Sequence, residues 1–248
     1  MNLERWRTYV DSLAINPLFV TVSGAHLYGF PSPDSDVDLR GTHCLPLEAV
    51  IGLDAPPQTF DDMCVWEGIE VDIVSHDVEK YFSLLLKNNG YILEQVFSPW
   101  VVTGDGFVRE LRAIASRCIT RNHYHHYHGF YRTQRRLIEK ETSKRAKSVL
   151  YAYRVLMTGI YLMKSGKVEA NINHLNEEFK LPYIAALVAA KKFEKVEIED
   201  LDWDFHSAEL DRLEAELEGA FHNSRLGESR DRSALNDWLI RIRLGETS

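Results

Sequence analysis

Along the first hundred residues the apolar positions come in short runs and alternations. Beyond them the apolar positions recur every three to four residues. A helical pattern over residues 2 to about 15 leads into Leu18-Phe-Val-Thr-Val22, a β-branched and aromatic run that reads as a strand. Asp36-Val-Asp-Leu-Arg40 reads as a second strand, and Gln58 to Val74 as two more joined by a turn at Glu67-Gly68. His76 and Asp77 introduce a helical pattern from Val78 to Leu86. From about Asp105 strand signals nearly vanish, and helical spacing runs over 105–118, 122–140, 144–164, 182–193, 207–223 and 231–243. The pattern predicts an α+β protein: a β-containing half in residues 1–104, followed by a helical domain in 105–248.

Composition narrows the class. With 248 residues, 45% hydrophobic and 27% charged, the chain can bury one large core or two smaller ones. A net charge of -8 argues against an indiscriminate nucleic-acid coat and leaves room for a local basic patch. Cys44, Cys64 and Cys118 are far apart with no CxxC pair, so neither a zinc knuckle nor a disulfide framework is expected. The opening MNLERWRTYV lacks the apolar core of a signal peptide, and no run approaches the roughly 20 apolar residues of a membrane span. The expectation is a cytoplasmic protein with no membrane partner. Residues 168–248, including the acidic Glu194 to Asp204 stretch, carry no functional signal beyond helices and an acidic loop.

The chemistry concentrates in SGAHLYGFPSPDSDVDLRG, Ser23 to Gly41. Side chains two apart on a strand share a face, so Asp36 and Asp38 would project together while Val37 turns to the core. Paired carboxylates suit hard divalent cations, which complete their shells with substrate phosphates. In Glu70-Val-Asp-Ile-Val74, Asp72 joins the pair if its strand lies beside the first. Its position between β-branched core residues would be costly unless a cation offset the charge. A calcium loop starting at Asp34 is excluded, because its sixth and twelfth positions are Leu39 and Leu45. An Asp-rich turn with no metal stays open. The loop Gly24-Ala-His-Leu-Tyr-Gly29 could cradle phosphate with backbone N–H groups, although it is neither a GxGxxG fingerprint nor a P-loop.

In combination these residues resemble the nucleotidyltransferase superfamily of DNA polymerase beta: a glycine-serine pair, a DxD on the next strand, then one Asp on a later strand. Gly24-Ala25, Asp36-Val-Asp38 and Asp72 occupy those places. LYGFPSPDSDVDLRG, GFYRTQRR and KSVLYAYRVLMTGIYLMKSG resemble the YcgL-type predicted nucleotidyltransferases associated with RNA repair, over about Leu18 to Gly166. The resemblance implies a nucleotidyltransferase-type mixed β-sheet with flanking helices and two Mg²⁺ ions, with Mn²⁺ able to substitute, on Asp36 and Asp38. It implies that Asp72 assists deprotonation of an acceptor hydroxyl, and that Ser23, Gly24 and Ala25 lie at the nucleotide. Where the family places Ser after the glycine this chain has Ala25. Phosphate contacts would then fall to backbone N–H groups and to cations of the helical half.

Two helical stripes are candidates for such cations. At about 100° per residue, Lys147, Tyr151, Arg154 and Thr158 share one face of their helix, opposite Val149, Tyr153, Leu156 and Ile160. A solvated outer face would look the same. Tyr124, His128, Tyr131 and Arg135, with Arg132 and Arg136 to one side, could stack on bases and pair with phosphates of RNA, or be core aromatics under a charged surface. His123, His125, His126 and His128 form no HExxH, and a structural zinc is not expected. The leading expectation is transfer of a nucleoside monophosphate from an NTP to an RNA 3′ hydroxyl with release of pyrophosphate. Protein nucleotidylation (AMPylation) and a catalytically inactive, nucleotide-binding regulator or antitoxin-like protein are the alternatives.

Overall fold

The computed structural model of the chain describes residues 1–54, 56–191 and 201–246. Contacts divide them into two units. The first gathers Met1–Gly24, Asp36–Ile119 and Ser229–Ser248, and the second Ala25–Ser35 and Thr120–Glu228.

The first unit is built on a five-stranded sheet of order β3-β4-β2-β1-β5. Its strands are β1 (Pro17–Val22), β2 (Val37–His43), β3 (Thr59–Trp66), β4 (Ile69–Asp77) and β5 (Val101–Thr103). β2 and β4 run parallel, and the remaining pairs are antiparallel. The β3–β4 hairpin turns where expected: Glu67 and Gly68 have φ of 47° and 81°, the two positive values of a type I′ turn. On one sheet face Val20, Val22, Val37, Leu39, Val71 and Ile73 pack with Trp6, Tyr9 and Val10 of helix α1 (Leu3–Asp11). On the other face Phe19 meets the rings of Tyr81 on α4 (Val78–Leu86) and Phe107 on α6 (Asp105–Ala115) at 5.4 and 5.7 Å. Thr21 there donates to the Gln95 carbonyl of α5 (Gly90–Phe97) at 3.1 Å.

The division between units differs from the one expected at residue 105. Helix α6 completes the sheet's cover, and the last described helix, α12 (Arg232–Arg243), returns to the first unit. Trp238 stacks on Phe107 and Phe82 at 4.5 and 5.3 Å. Arg243 pairs with fully buried Asp77, whose carboxylate also accepts from the Glu79 and Leu45 N–H groups at 3.0 Å. Segment 25–35, expected as part of the catalytic half, packs with the second unit. A short helix, α2 (Gly24–Tyr28), spans that boundary, and another, α3 (Leu47–Val50), follows β2.

The second unit is helical: α7 (His123–Lys140), α8 (Ala146–Ser165), α9 (Ile172–Phe179), α10 (Ile184–Lys191) and α11 (Trp203–His222). Helix α8 is its axis. A Cβ on Gly159 would stand 2.9 Å from Tyr127 and 3.0 Å from Leu217, so α7 and α11 close on α8 through that glycine. The expected helix over 182–193 is described to Lys191; its last two residues, and 194–200 of the acidic stretch, lie outside the described residues. Among the described residues no helix is long and apolar enough to cross a membrane. Cys44, Cys64 and Cys118 are free.

Candidate active site

The parallel pairing of β2 with β4 sets Val37 opposite Val71 and Asp38 opposite Asp72. Alternation then sends Val37, Leu39, Val71 and Ile73 into the core and turns Asp38 and Asp72 to the other face. The sequence expectation that Asp72 stands beside the first acidic strand is therefore met in the register. Asp36 differs from expectation. It precedes β2 by one residue, outside the ladder, and is exposed, so it does not rise beside Asp38 from a common strand.

Between the two paired carboxylates lies Arg40. Its Nη2 reaches Asp38 Oδ1 at 2.7 Å and Asp72 Oδ2 at 2.8 Å, while Nη1 donates to the Leu39 and Asp72 carbonyls, both at 2.8 Å. Sequence reasoning gave Arg40 no role, yet its signal was legible: it sits two residues after Asp38, on the same strand face. The cation that a half-buried Asp72 demands is supplied by the protein itself.

Burial raises the Asp38 carboxyl above the ordinary carboxylate range; Arg40 opposes the rise, and Asp36 and Asp72 add to it. Asp36 thus acts on Asp38 through its charge although it stands off the strand. Around Asp38 the backbone closes tightly. The Ser23 N–H donates to the Asp38 carbonyl at 2.8 Å, extending the β1–β2 ladder by one bond. Gly24 follows with φ of 60°, and a Cβ there would fall 1.7 Å from Asp38 Oδ2. Only glycine provides both the left-handed backbone and the space. Ala25, at the family's serine position, is buried in α2.

Asp38 and Asp72, paired on one sheet face, are hard-oxygen donors of the kind Mg²⁺ takes, and the missing Cβ at Gly24 leaves Asp38 Oδ2 uncrowded. The pair therefore fits a divalent ion that takes the rest of its shell from substrate phosphates. The assembled geometry is that of the arginine bridge. Among the described residues no group of three or more His, Cys, Asp or Glu is gathered to hold a metal.

The second unit places the other expected residues. The stripe on α8 is not a solvated face. Lys147 is exposed, but Tyr151 packs edge-on against Tyr28 and Phe30 at 5.8 and 5.2 Å, and Arg154 is buried with its guanidinium 3.7 Å over the Tyr28 ring. Segment 25–35 thus covers the polar side of α8, and Lys191 holds it by donating to Ser32 and Ser35 at 2.9 and 3.3 Å. On α7, Tyr124 and Tyr131 are buried. Tyr124 stacks on Phe221 at 4.4 Å and on His128 at 5.1 Å. Burial pushes the Tyr131 hydroxyl up to about 12. The polar side chains beside them pair with α11: His128 and Arg132 with Glu214 at 2.8 and 3.1 Å, and Arg135 with Asp211 at 3.5 Å and with Ser207. This is the arrangement of core aromatics beneath a charged helix seam.

The family described as RlaP, RNA repair pathway DNA polymerase beta family, matches residues 3–241. The "Uncharacterized protein MJ0002" of Methanocaldococcus jannaschii is 33% identical over 157 residues, 63% of this chain and 64% of that protein. The chain thus spans a little under two thirds of that relative. A solved nucleotidyltransferase-like protein from Exiguobacterium sibiricum aligns over 98% of this chain and 78% of its own at 10% identity, with a TM-score of 0.33. A family match that runs through the strands of Asp38 and Asp72 and on through the helices to residue 241 means that the chain belongs to the RNA repair pathway DNA polymerase beta family.

Proposed function

We propose that the protein transfers a nucleoside monophosphate from an NTP to the 3′ hydroxyl of an RNA, releasing pyrophosphate. The observation that carries the proposal is the register that sets Asp38 directly opposite Asp72 on the sheet face away from α1, in a chain of this family. The acceptor oxygen forms a bond to the α-phosphorus, the bond from that phosphorus to the α–β bridging oxygen breaks so that pyrophosphate leaves, and the hydroxyl proton passes to solvent with Asp72 assisting. Asp38 and Asp72, with Asp36 at the rim, would hold Mg²⁺ or Mn²⁺. When bound, such ions supply charge neutralisation for the triphosphate and a lowered pKa for the attacking hydroxyl. Gly24 lets the chain after β1 lie against Asp38 without crowding it, and Ser23 fixes that approach through its N–H. The core side chains of β2 and β4 hold the two carboxylates in register, so little reorganisation is left for the moment of reaction.

The arginine bridge favours a second reading, a nucleotide-binding protein without turnover, because the carboxylates already have a cation. Labelled NTPs, Mg²⁺ and an RNA ending in a 3′ hydroxyl or a 3′ deoxy residue separate the two. The proposal expects an RNA lengthened by labelled nucleotide only with the hydroxyl. Label on protein in cell extract would instead identify nucleotidylation, and nucleotide binding without pyrophosphate release would identify the silent regulator.

A further inference from the structure

The four hydrogen bonds of Arg40 describe a seat already filled. The bridged carboxylates are largely covered, with side-chain exposures of 20% for Asp38 and 25% for Asp72, and Arg40 itself is 19% exposed. Two like charges set opposite one another across a parallel pair repel unless a cation stands between them. The Arg40 Nη2 reaches both within 2.8 Å, and its Nη1 is fastened to two backbone carbonyls of the same strands. A guanidinium fork held at two carbonyls is preorganised, so little entropy is lost for each bond it makes to the acids.

We propose that Arg40 is an internal counter-ion which must leave the Asp38–Asp72 pair before a divalent ion is seated. It thereby keeps the site's affinity for free metal low until substrate arrives. The inference rests on reading these carboxylates as the metal seat. Its chemistry is an exchange of one cation for another between the same oxygens. The departing guanidinium takes its hydrogen-bonding fork to the anion that enters with the ion, and a polyphosphate is the anion of the proposed reaction. Metal and nucleotide binding are then coupled, since each favours the state in which Arg40 has withdrawn. Arg40 is in this sense a positioning residue that acts through Asp38 and Asp72.

The test is binding of Mn²⁺ alone to the full chain, read from loss of the free-ion electron paramagnetic resonance signal, so that no turnover is needed. Arg40→Gln removes the competing charge and should bind Mn²⁺ about tenfold or more tightly than the wild type, a gain of ~1.4 kcal/mol. Arg40→Lys keeps a charge without the fork and should fall between them. It also carries the test if circular dichroism finds Arg40→Gln unfolded. Adding Asp38→Ala to either variant should erase the gain. Equal Mn²⁺ affinity in wild type and Arg40 variants, still abolished by Asp38→Ala, overturns the counter-ion role and leaves the metal seat standing. Weaker binding in the variants overturns it too, by making Arg40 a scaffold of the seat. Absence of any Asp38-dependent Mn²⁺ binding removes the metal reading and this inference with it.

Discussion

Substituting Gly24 by alanine, with Gly68→Ala as its partner, separates backbone strain from damage to the carboxylate pair. Both glycines have positive φ, 60° and 81°, so an alanine at either pays roughly 1–2 kcal/mol for the left-handed backbone. Around Gly68 an added Cβ meets nothing within 4 Å. At Gly24 it would stand 1.7 Å from Asp38 Oδ2 and 2.5 Å from its Cγ. Ordinary contact begins at 3.4 Å, so the carboxylate must retreat by about 3.4 − 1.7 = 1.7 Å or the backbone must give way. Such a retreat also strips Asp38 Oδ1 from Arg40, now 2.7 Å away. Misplacing a reacting group by about 1 Å costs on the order of a hundredfold in rate. Gly24→Ala should therefore lower nucleotide transfer at least about a hundredfold, while Gly68→Ala stays within about twofold of wild type. Both variants should melt lower, by roughly 2–8 °C for a chain of this size. Rates come from incorporation of labelled nucleotide under saturating NTP, and melting from circular dichroism. If Gly24→Ala transferred nucleotide as fast as Gly68→Ala, the packing of Asp38 on Gly24 would have no bearing on the chemistry.

Two further predictions concern the first unit. Arg243→Ala leaves the buried Asp77 carboxylate without its cation and should destabilise by roughly 3–5 kcal/mol. Arg243→Lys should restore only part of that, because one ammonium does not reproduce the fork that also serves the Leu45 carbonyl. A chemical-denaturation loss below about 1 kcal/mol for Arg243→Ala would count against this role for the C-terminal helix. His76, on the sheet face that bears Asp72, has its pKa lowered from 6.5 to about 4 by burial and by the nearby Lys80, His43 and Arg40. The fold thus prefers the neutral ring, so this stabilisation is full above about pH 6.5 and is lost as pH falls toward about 4. His76→Gln should flatten part of that decline in denaturant midpoints. His43, lowered mainly by its own burial, should keep the remainder. An unchanged slope between pH 6.5 and 4 in His76→Gln would contradict the assignment.

The sheet was legible wherever alternation and turn chemistry agreed. Val37, Leu39, Val71 and Ile73 mark the buried faces of β2 and β4, and Glu67-Gly68 marks the hairpin between β3 and β4. From those strands the pairing of Asp38 with Asp72 needed only that β4 lie beside β2, which sequence could pose as a condition but not decide. Strand β5 escaped because three residues between Trp100 and Gly104 carry no period, and α9 because its eight residues are announced only by the Asn171 cap. The α8 stripe misled for a physical reason. A polar face can be covered by another segment, and here Tyr28 and Phe30, more than a hundred residues earlier, lie on Tyr151 and Arg154. Helical spacing within α8 holds no trace of that cover. The return of α12 to the sheet was equally hidden, since the Arg243–Asp77 pair joins residues 166 apart. Arg40 was in plain view within DVDLR, and local sequence gave its strand face without saying which partners would lie there.

The central claim, that Asp38 and Asp72 together form the seat of nucleotide transfer, is tested most directly by the single and double alanine variants at these positions. Label transfer from NTP to RNA should vanish in Asp38→Ala, in Asp72→Ala and in the double variant alike, because residues that act as one unit are not additive, while circular dichroism finds each folded. Near-normal transfer by folded Asp38→Ala would contradict the claim.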